Sequence, residues 1–297
     1  MNTSVFTNSQ FYKLKEFDPG KEIVNTECKL YIIGSKINPR KKLLKKFYNE
    51  SDKYISKKVK NLDTLVYYRK CFDIINEFVM PENLAVLSGR IIGYTMPFIE
   101  NSINLQTILK SNKYTIEEKI YYLKQIGKIL NKMEIIKKFP YEIRLGDLHE
   151  ANFIVDEKKN IRIVDMDSAY ISNNEAFHSK YLFLCHNLLD LPHKYQTDDD
   201  GDIIPSKNSD LFCYITIILN TLSGCAAYKF NLDQFYNYIN YLNDIGINKN
   251  LLDSIEKIYQ NGDNENPLPY LDEIPIDKAC QAHRLVYKAK TKKDIFD

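Results

Sequence analysis

Over the first hundred residues, short apolar runs alternate with turn-forming residues. KEIVNTEC, KLYIIG and KKLLKKFY (21–28, 29–34, 41–48) are rich in β-branched and aromatic residues, with Gly34-Ser35 and Asn38-Pro39 between them. That pattern predicts strands joined by turns. From about 52 to 76 the period changes, and Leu62, Leu65, Val66, Cys71, Phe72 and Ile75 trace a helical stripe. LAVLS and RIIGYTMPFI then read as two strands joined at Ser88-Gly89. Past Pro97 helical spacing dominates. Ile120, Leu123, Ile126, Gly127, Leu130 and Met133 fit one face of a helix over 116–136, and further helices are predicted over 177–190, 209–223, 231–243 and 249–260, with a basic, helix-compatible tail at 278–293. One exception interrupts this region: NFIVD and IRIVD, two short strands around Glu157-Lys158-Lys159-Asn160. The order predicts an α+β protein with two lobes. A small β-rich lobe with one main helix covers 1–99, and a larger, mainly helical lobe covers 100–297. A connector near Phe98 to Ser102 would join them, with a crevice of the kind ligands favour.

Composition narrows the class more than the function. At 297 residues the chain is long enough for two real cores. The net charge of +2, with acids interleaved among the lysines, predicts no DNA partner. The six cysteines form no CxxC and no metal-ligand spacing, so they read as reduced thiols of a cytoplasmic protein. The polar start lacks a signal-peptide core. The longest apolar stretch, LFCYITIILNTL at 211–222, is too short to span a bilayer and reads as a buried helix.

The candidate chemistry lies in GDLHEANFIVDEKKNIRIVDMDS, residues 146–168. A hairpin brings its two ends together, so Asp147 and Asn152 before it and Asp165 after it are expected to converge. Asn152 and Asp165 offer hard oxygen donors of the kind Mg²⁺ takes alongside substrate phosphates. Asp147 is left to act as a base or to orient a hydroxyl. Phosphoryl transfer needs this set, because its loose transition state calls for positioning and charge neutralisation.

The same block resembles the catalytic loop and metal-binding segment of the protein-kinase-like superfamily. It is similar to aminoglycoside and choline phosphotransferases, and more so to bacterial Ser/Thr-kinase-like proteins. The resemblance implies a bilobal protein-kinase-like fold and a kinase dependent on ATP and Mg²⁺, with Mn²⁺ as an alternative ion. It implies Asp147 as the catalytic Asp, Asn152 as a metal-binding and catalytic Asn, and Asp165 as the first residue of an Asp-Phe-Gly match. Lys45, on a strand that also offers Lys46, is the preferred phosphate-binding lysine, with Asp63 eighteen residues on as its ion-pair partner. Phe98, Ile99 and Glu100 would receive the adenine edge, with Met96 behind it, and Asn25 and Thr26 would turn over the phosphates.

Departures from the family pattern shape the expected function. No GxGxxG is present, and no Ala-Pro-Glu precedes the buried helix at 209–223. Asp167 stands where Gly closes the family motif, as a turn cap or a third metal-facing carboxylate. His149 reads as a structural support, and Asp210 as a helix cap or an anchor for the catalytic loop. The first expectation is a protein Ser/Thr kinase acting on a protein hydroxyl. Alternatives are a small-molecule, nucleotide or RNA kinase, suggested by GDLH and the basic tail, and a nucleotide-binding pseudokinase, suggested by the missing Gly-rich loop.

Overall fold

The structure is a computed structural model that describes residues 2–18, 27–34, 41–49, 51–72, 75–134, 136, 139–172, 203–205, 209–224 and 230–261. Asn25, Thr26, the predicted helix at 177–190 and the basic tail lie outside the described residues. The protein is α+β, with a mixed sheet and seven α-helices among the described residues. Two compact units share the chain. The first comprises 1–104, 136–142 and 151–175; the second comprises 105–135, 143–150 and 176–297.

The first unit is built on a six-stranded sheet in the order β1-β5-β6-β4-β3-β2. Its strands are β1 (Asn2–Phe6), β2 (Lys15–Glu16), β3 (Cys28–Ile33), β4 (Lys42–Phe47), β5 (Asn83–Leu87) and β6 (Arg90–Pro97). β1 runs parallel to β5, and the other neighbours are antiparallel. The polar look of residues 2–6 hid β1, an edge strand whose side chains are mostly exposed. The predicted turn at Ser88-Gly89 is a two-residue hairpin loop. Both residues have positive φ, 51° and 78°, as the right-handed twist of the flanking strands requires.

Alternation along β4 gives the sheet two faces. Leu43, Phe47, Tyr94 and Met96 pack with Leu62 of helix α2 (Asp52–Tyr67) on one face. Leu44, Ala85 and Ile92 pack on the other, beside Phe11 of the short helix α1 (Asn8–Phe11). Gly93 lets β6 approach β4: a Cβ there would lie 1.9 Å from the Lys45 carbonyl oxygen. The predicted hairpin forms as β9 (Phe153–Val155) and β10 (Ile161–Ile163), with β7 (Ile103–Asn104) on the outer side of β9. Asp156 fixes its turn by accepting from the Lys158 and Asn160 N–H groups, each at 2.9 Å. Ile163 ties the hairpin to the segment after α2: its N–H donates to Glu77 O at 2.8 Å, and its carbonyl accepts from Val79 N–H at 2.9 Å.

The second unit is helical. It holds α3 (Leu105–Lys110), α4 (Ile116–Glu134), the two-residue strand β8 (Ile143–Arg144), α5 (Ser209–Ser223), α6 (Leu232–Asp244) and α7 (Lys249–Asn261). Reciprocal capping boxes start two of them, Thr115 with Glu118 at α4 and Asn231 with Gln234 at α6. The α5 sequence is apolar on all sides, and the helix is accordingly buried against α4 and α7. Tyr214 of α5 satisfies its hydroxyl by donating to Leu123 O of α4 at 2.8 Å. Among the described residues no helix is long and apolar enough to cross a membrane.

Candidate functional site

Lys45 and Lys46 separate by strand alternation. Lys45 lies on the α2 face with Leu43 and Phe47, only 4% exposed. Lys46 lies on the opposite face, half-buried, with its ammonium 3.4 Å from Phe47 O. Burying an ammonium requires counter-charge. Two carboxylates supply it: Lys45 Nζ makes a short contact with Asp165 Oδ1 and lies 2.9 Å from Asp167 Oδ1. Burial alone would lower the lysine's pKa, yet the two aspartates raise it well above its ordinary value.

Asp165 stands where β10 ends, with left-handed backbone (φ 71°, ψ 32°). Few non-glycine residues adopt that conformation, and such outliers gather at functional sites. The Val164 N–H donates to the Asn152 carbonyl at 2.9 Å, so Asn152 and Asp165 sit at neighbouring ends of the hairpin. The Asp165 side chain keeps 27% exposure. Burial and neighbouring Asp167 raise its pKa, against the pull of Lys45.

Asp167 is the reverse case. Its side chain is wholly buried, and its Oδ2 lies 2.9 Å from the Lys58 ammonium. Tyr94 lies opposite Lys45 in the sheet register and donates its hydroxyl to Asp167 Oδ1 at 2.6 Å. Burial opposes the charge, but Lys45 and Lys58 hold this carboxyl well below the usual range. Where a third metal-facing carboxylate was expected, both Asp167 oxygens face ammonium groups inside the unit.

Helix α2 also corrects the expected partner of Lys45. Its buried residues are Lys58, Asn61, Leu62 and Leu65, at spacings that share one face. Asp63 is exposed and lines an open surface pocket with Thr64, Tyr67 and Glu82. At about 100° per residue it points about 160° away from Asn61, off the buried face of the helix. Asn61 instead donates to the carbonyls of Asp167 and Ala169 at 3.1 and 2.5 Å. Lys58 donates to Ser168 Oγ at 2.8 Å. Lys58, Asn61, Tyr94 and Ser168 were missed from sequence. A signal existed for two of them: Lys58 and Asn61 continue the apolar stripe of α2 backwards by one turn.

The residues nominated for the adenine edge lie at the end of β6. Met96 is 4% exposed in the sheet core, while Phe98 and Ile99 pack half-buried against that core with Leu30, Ile32 and Val164. The Phe98 N–H donates to Lys41 O at 3.3 Å, and the Ile99 carbonyl accepts from Ser102 Oγ at 2.9 Å. Glu100 is exposed and paired with Lys41 at 2.9 Å.

Asp147 belongs to the second unit, whereas Asn152 and Asp165 belong to the first. Gly146 takes positive φ (72°), and the Asp147 N–H donates back to Leu145 O at 2.8 Å. The loop is anchored from below. The Leu145 and Gly146 N–H groups donate to the two Asp210 oxygens at 2.8 and 3.0 Å, which is the loop-anchoring role expected of Asp210. His149 Nε2 lies 3.4 Å from Asp147 Oδ2. Among the described residues no group of three or more His, Cys, Asp or Glu is placed to hold a metal ion. Neither the protein-family models nor the curated proteins gave a match to this chain.

Proposed function

We propose that this chain is an ATP- and Mg²⁺-dependent phosphotransferase with a bilobal protein-kinase-like fold, transferring the γ-phosphoryl group to a protein Ser or Thr hydroxyl. One observation carries the reading. Lys45 and Asp165, nominated separately from stretches 120 residues apart, meet as a partly buried ion pair, with Asp165 in left-handed backbone. A buried lysine opposite a partly exposed carboxylate is suited to exchange that carboxylate for a phosphate oxygen.

In this reading Lys45 holds the α- and β-phosphates. The apolar side chains of Leu30, Ile32, Phe98, Ile99 and Val164 around Met96 give the adenine ring a surface. The Ile99 carbonyl keeps a second lone pair for the base edge. The donor set fits Mg²⁺, which takes one or two protein groups together with phosphates: Asp165 and Asn152 offer a carboxylate and an amide oxygen from one unit. Mn²⁺ accepts the same ligands. When bound, the ion neutralises charge on the phosphates. Asp147, beside His149, orients the acceptor hydroxyl and takes its proton.

Incubation with γ-labelled ATP and Mg²⁺, beside Asp147→Ala and Asp165→Ala, tests this. Label on the protein itself or on added casein, lost in both variants, is the expected result. ATP consumption only with added metabolites moves the acceptor to a small molecule. Nucleotide binding without transfer under any condition identifies a pseudokinase. Equal transfer by wild type and both variants refutes the site.

A further inference from the structure

We propose that Asp167 and Lys58 form a positioning pair that clamps Lys45 of strand β4 to helix α2, with the helix supplying the cation and the segment after β10 the anion. The inference rests on the reading of Lys45 as the phosphate-binding lysine.

Geometry carries it. Asp167 has 0% exposure and places one oxygen 2.9 Å from Lys45 and the other 2.9 Å from Lys58, itself 1% exposed. Two buried ammonium groups repel each other, so the carboxylate between them is what lets strand and helix pack. The second strand of support comes from Tyr94, directly across the sheet from Lys45, which donates to the same carboxylate at 2.6 Å. The helix grips the backbone of this segment as well, through Asn61 to the Asp167 carbonyl at 3.1 Å. Exposed Glu27 approaches Lys58 only to 3.9 Å.

The cluster balances two lysines against two aspartates, and the aspartates differ. Asp165 keeps 27% side-chain exposure and Asp167 none, so Asp165 is the one that can turn to another partner. Lys45 then retains Asp167 as counter-ion and stays on the α2 face of the sheet. Without Asp167 the lysine would depend on Asp165 alone and would follow it.

The test uses the full chain, the transfer assay above and a denaturant titration. Asp167→Asn and Lys58→Met are expected to lower kcat at least tenfold while KM for MgATP changes less than threefold, at temperatures where both remain folded. Lys58→Arg, which restores the buried cation, is expected to recover kcat to within threefold. A purely structural role would move the unfolding midpoint and leave kcat of the folded fraction unchanged. Wild-type kcat in folded Lys58→Met overturns the proposal, including where Asp167→Asn fails to fold. If the wild type transfers no phosphoryl group, the phosphotransferase reading falls separately, and the double variant Lys58→Met/Asp167→Asn still tests the clamp. Its unfolding constant should depart at least fivefold from the product of the single effects, as for residues in contact. Multiplicative effects would show that the two residues are not coupled.

Discussion

Asp167 in the first unit and Asp210 in the second are both buried, 0% and 5% exposed, but their partners differ in kind. Asp167 faces two ammonium groups and a tyrosine hydroxyl. Asp210 accepts from two backbone N–H groups. Burial works against both charges. Around Asp167 the lysines win and hold the carboxyl well below its usual range. Around Asp210 burial wins over the Leu145 N–H, Arg144 and the Gly146 N–H, and pushes the carboxyl up to about 6. Full opposite charge thus fixes one aspartate as an anion, while peptide dipoles leave the other able to take a proton near neutrality.

The largest test of this contrast is Asp167→Asn. It removes the carboxylate charge that lies between the two buried lysines, and breaking a buried pair in this way costs about 3–5 kcal/mol. Because the Asp167 pKa is depressed in the fold, its stabilisation is present above the unfolded value of 3.8 and is lost as pH falls through the folded value. Denaturant titrations at neutral pH and in acid should show the variant's deficit shrinking toward acid. A deficit independent of pH would break the contrast.

Asp210→Asn should behave in the opposite sense. The folded pKa of about 6 exceeds the unfolded 3.8, so this group's contribution is fully present below pH 3.8 and is lost as pH rises through 6. A shift of that size corresponds to about 3 kcal/mol at most. Between pH 4 and 7 the stability difference between wild type and Asp210→Asn should move in the variant's favour by up to that amount. A parallel pH dependence in the two proteins would show that Asp210 stays ionised throughout.

The smallest effect sharpens the contrast from outside. Asp63 carries the same charge on the exposed face of α2. Asp63→Ala should change stability by no more than about 0.5 kcal/mol, as surface substitutions usually do. A loss comparable to that of Asp167→Asn would restore Asp63 as the counter-ion of Lys45.

What could be read from the sequence follows the range of the forces involved. The β9–β10 hairpin, the Ser88-Gly89 turn, α4 and α5 were legible because turn residues and apolar period act locally. That Lys45 and Lys46 take opposite faces was legible because alternation along a strand decides the face. The partner of Lys45 was not. Spacing along the chain pointed to Asp63, but helical phase turned that residue outward and turned Lys58 inward. The phase of α2 puts Lys58 on the buried face, but nothing within the helix supplies the counter-charge that burying an ammonium requires. Its burial depends on Asp167, 109 residues later, and only the fold brings the two together. Strand β1 escaped notice for a related reason, since an exposed edge strand shows little apolar alternation.

The most direct test of the central claim is a titration of wild type, Asp165→Asn and Asp147→Asn with a fluorescent ATP analogue, with and without Mg²⁺. The account predicts Mg²⁺-dependent binding by wild type and Asp147→Asn and its loss in Asp165→Asn. Mg²⁺-dependent binding by Asp165→Asn at wild-type affinity would contradict it.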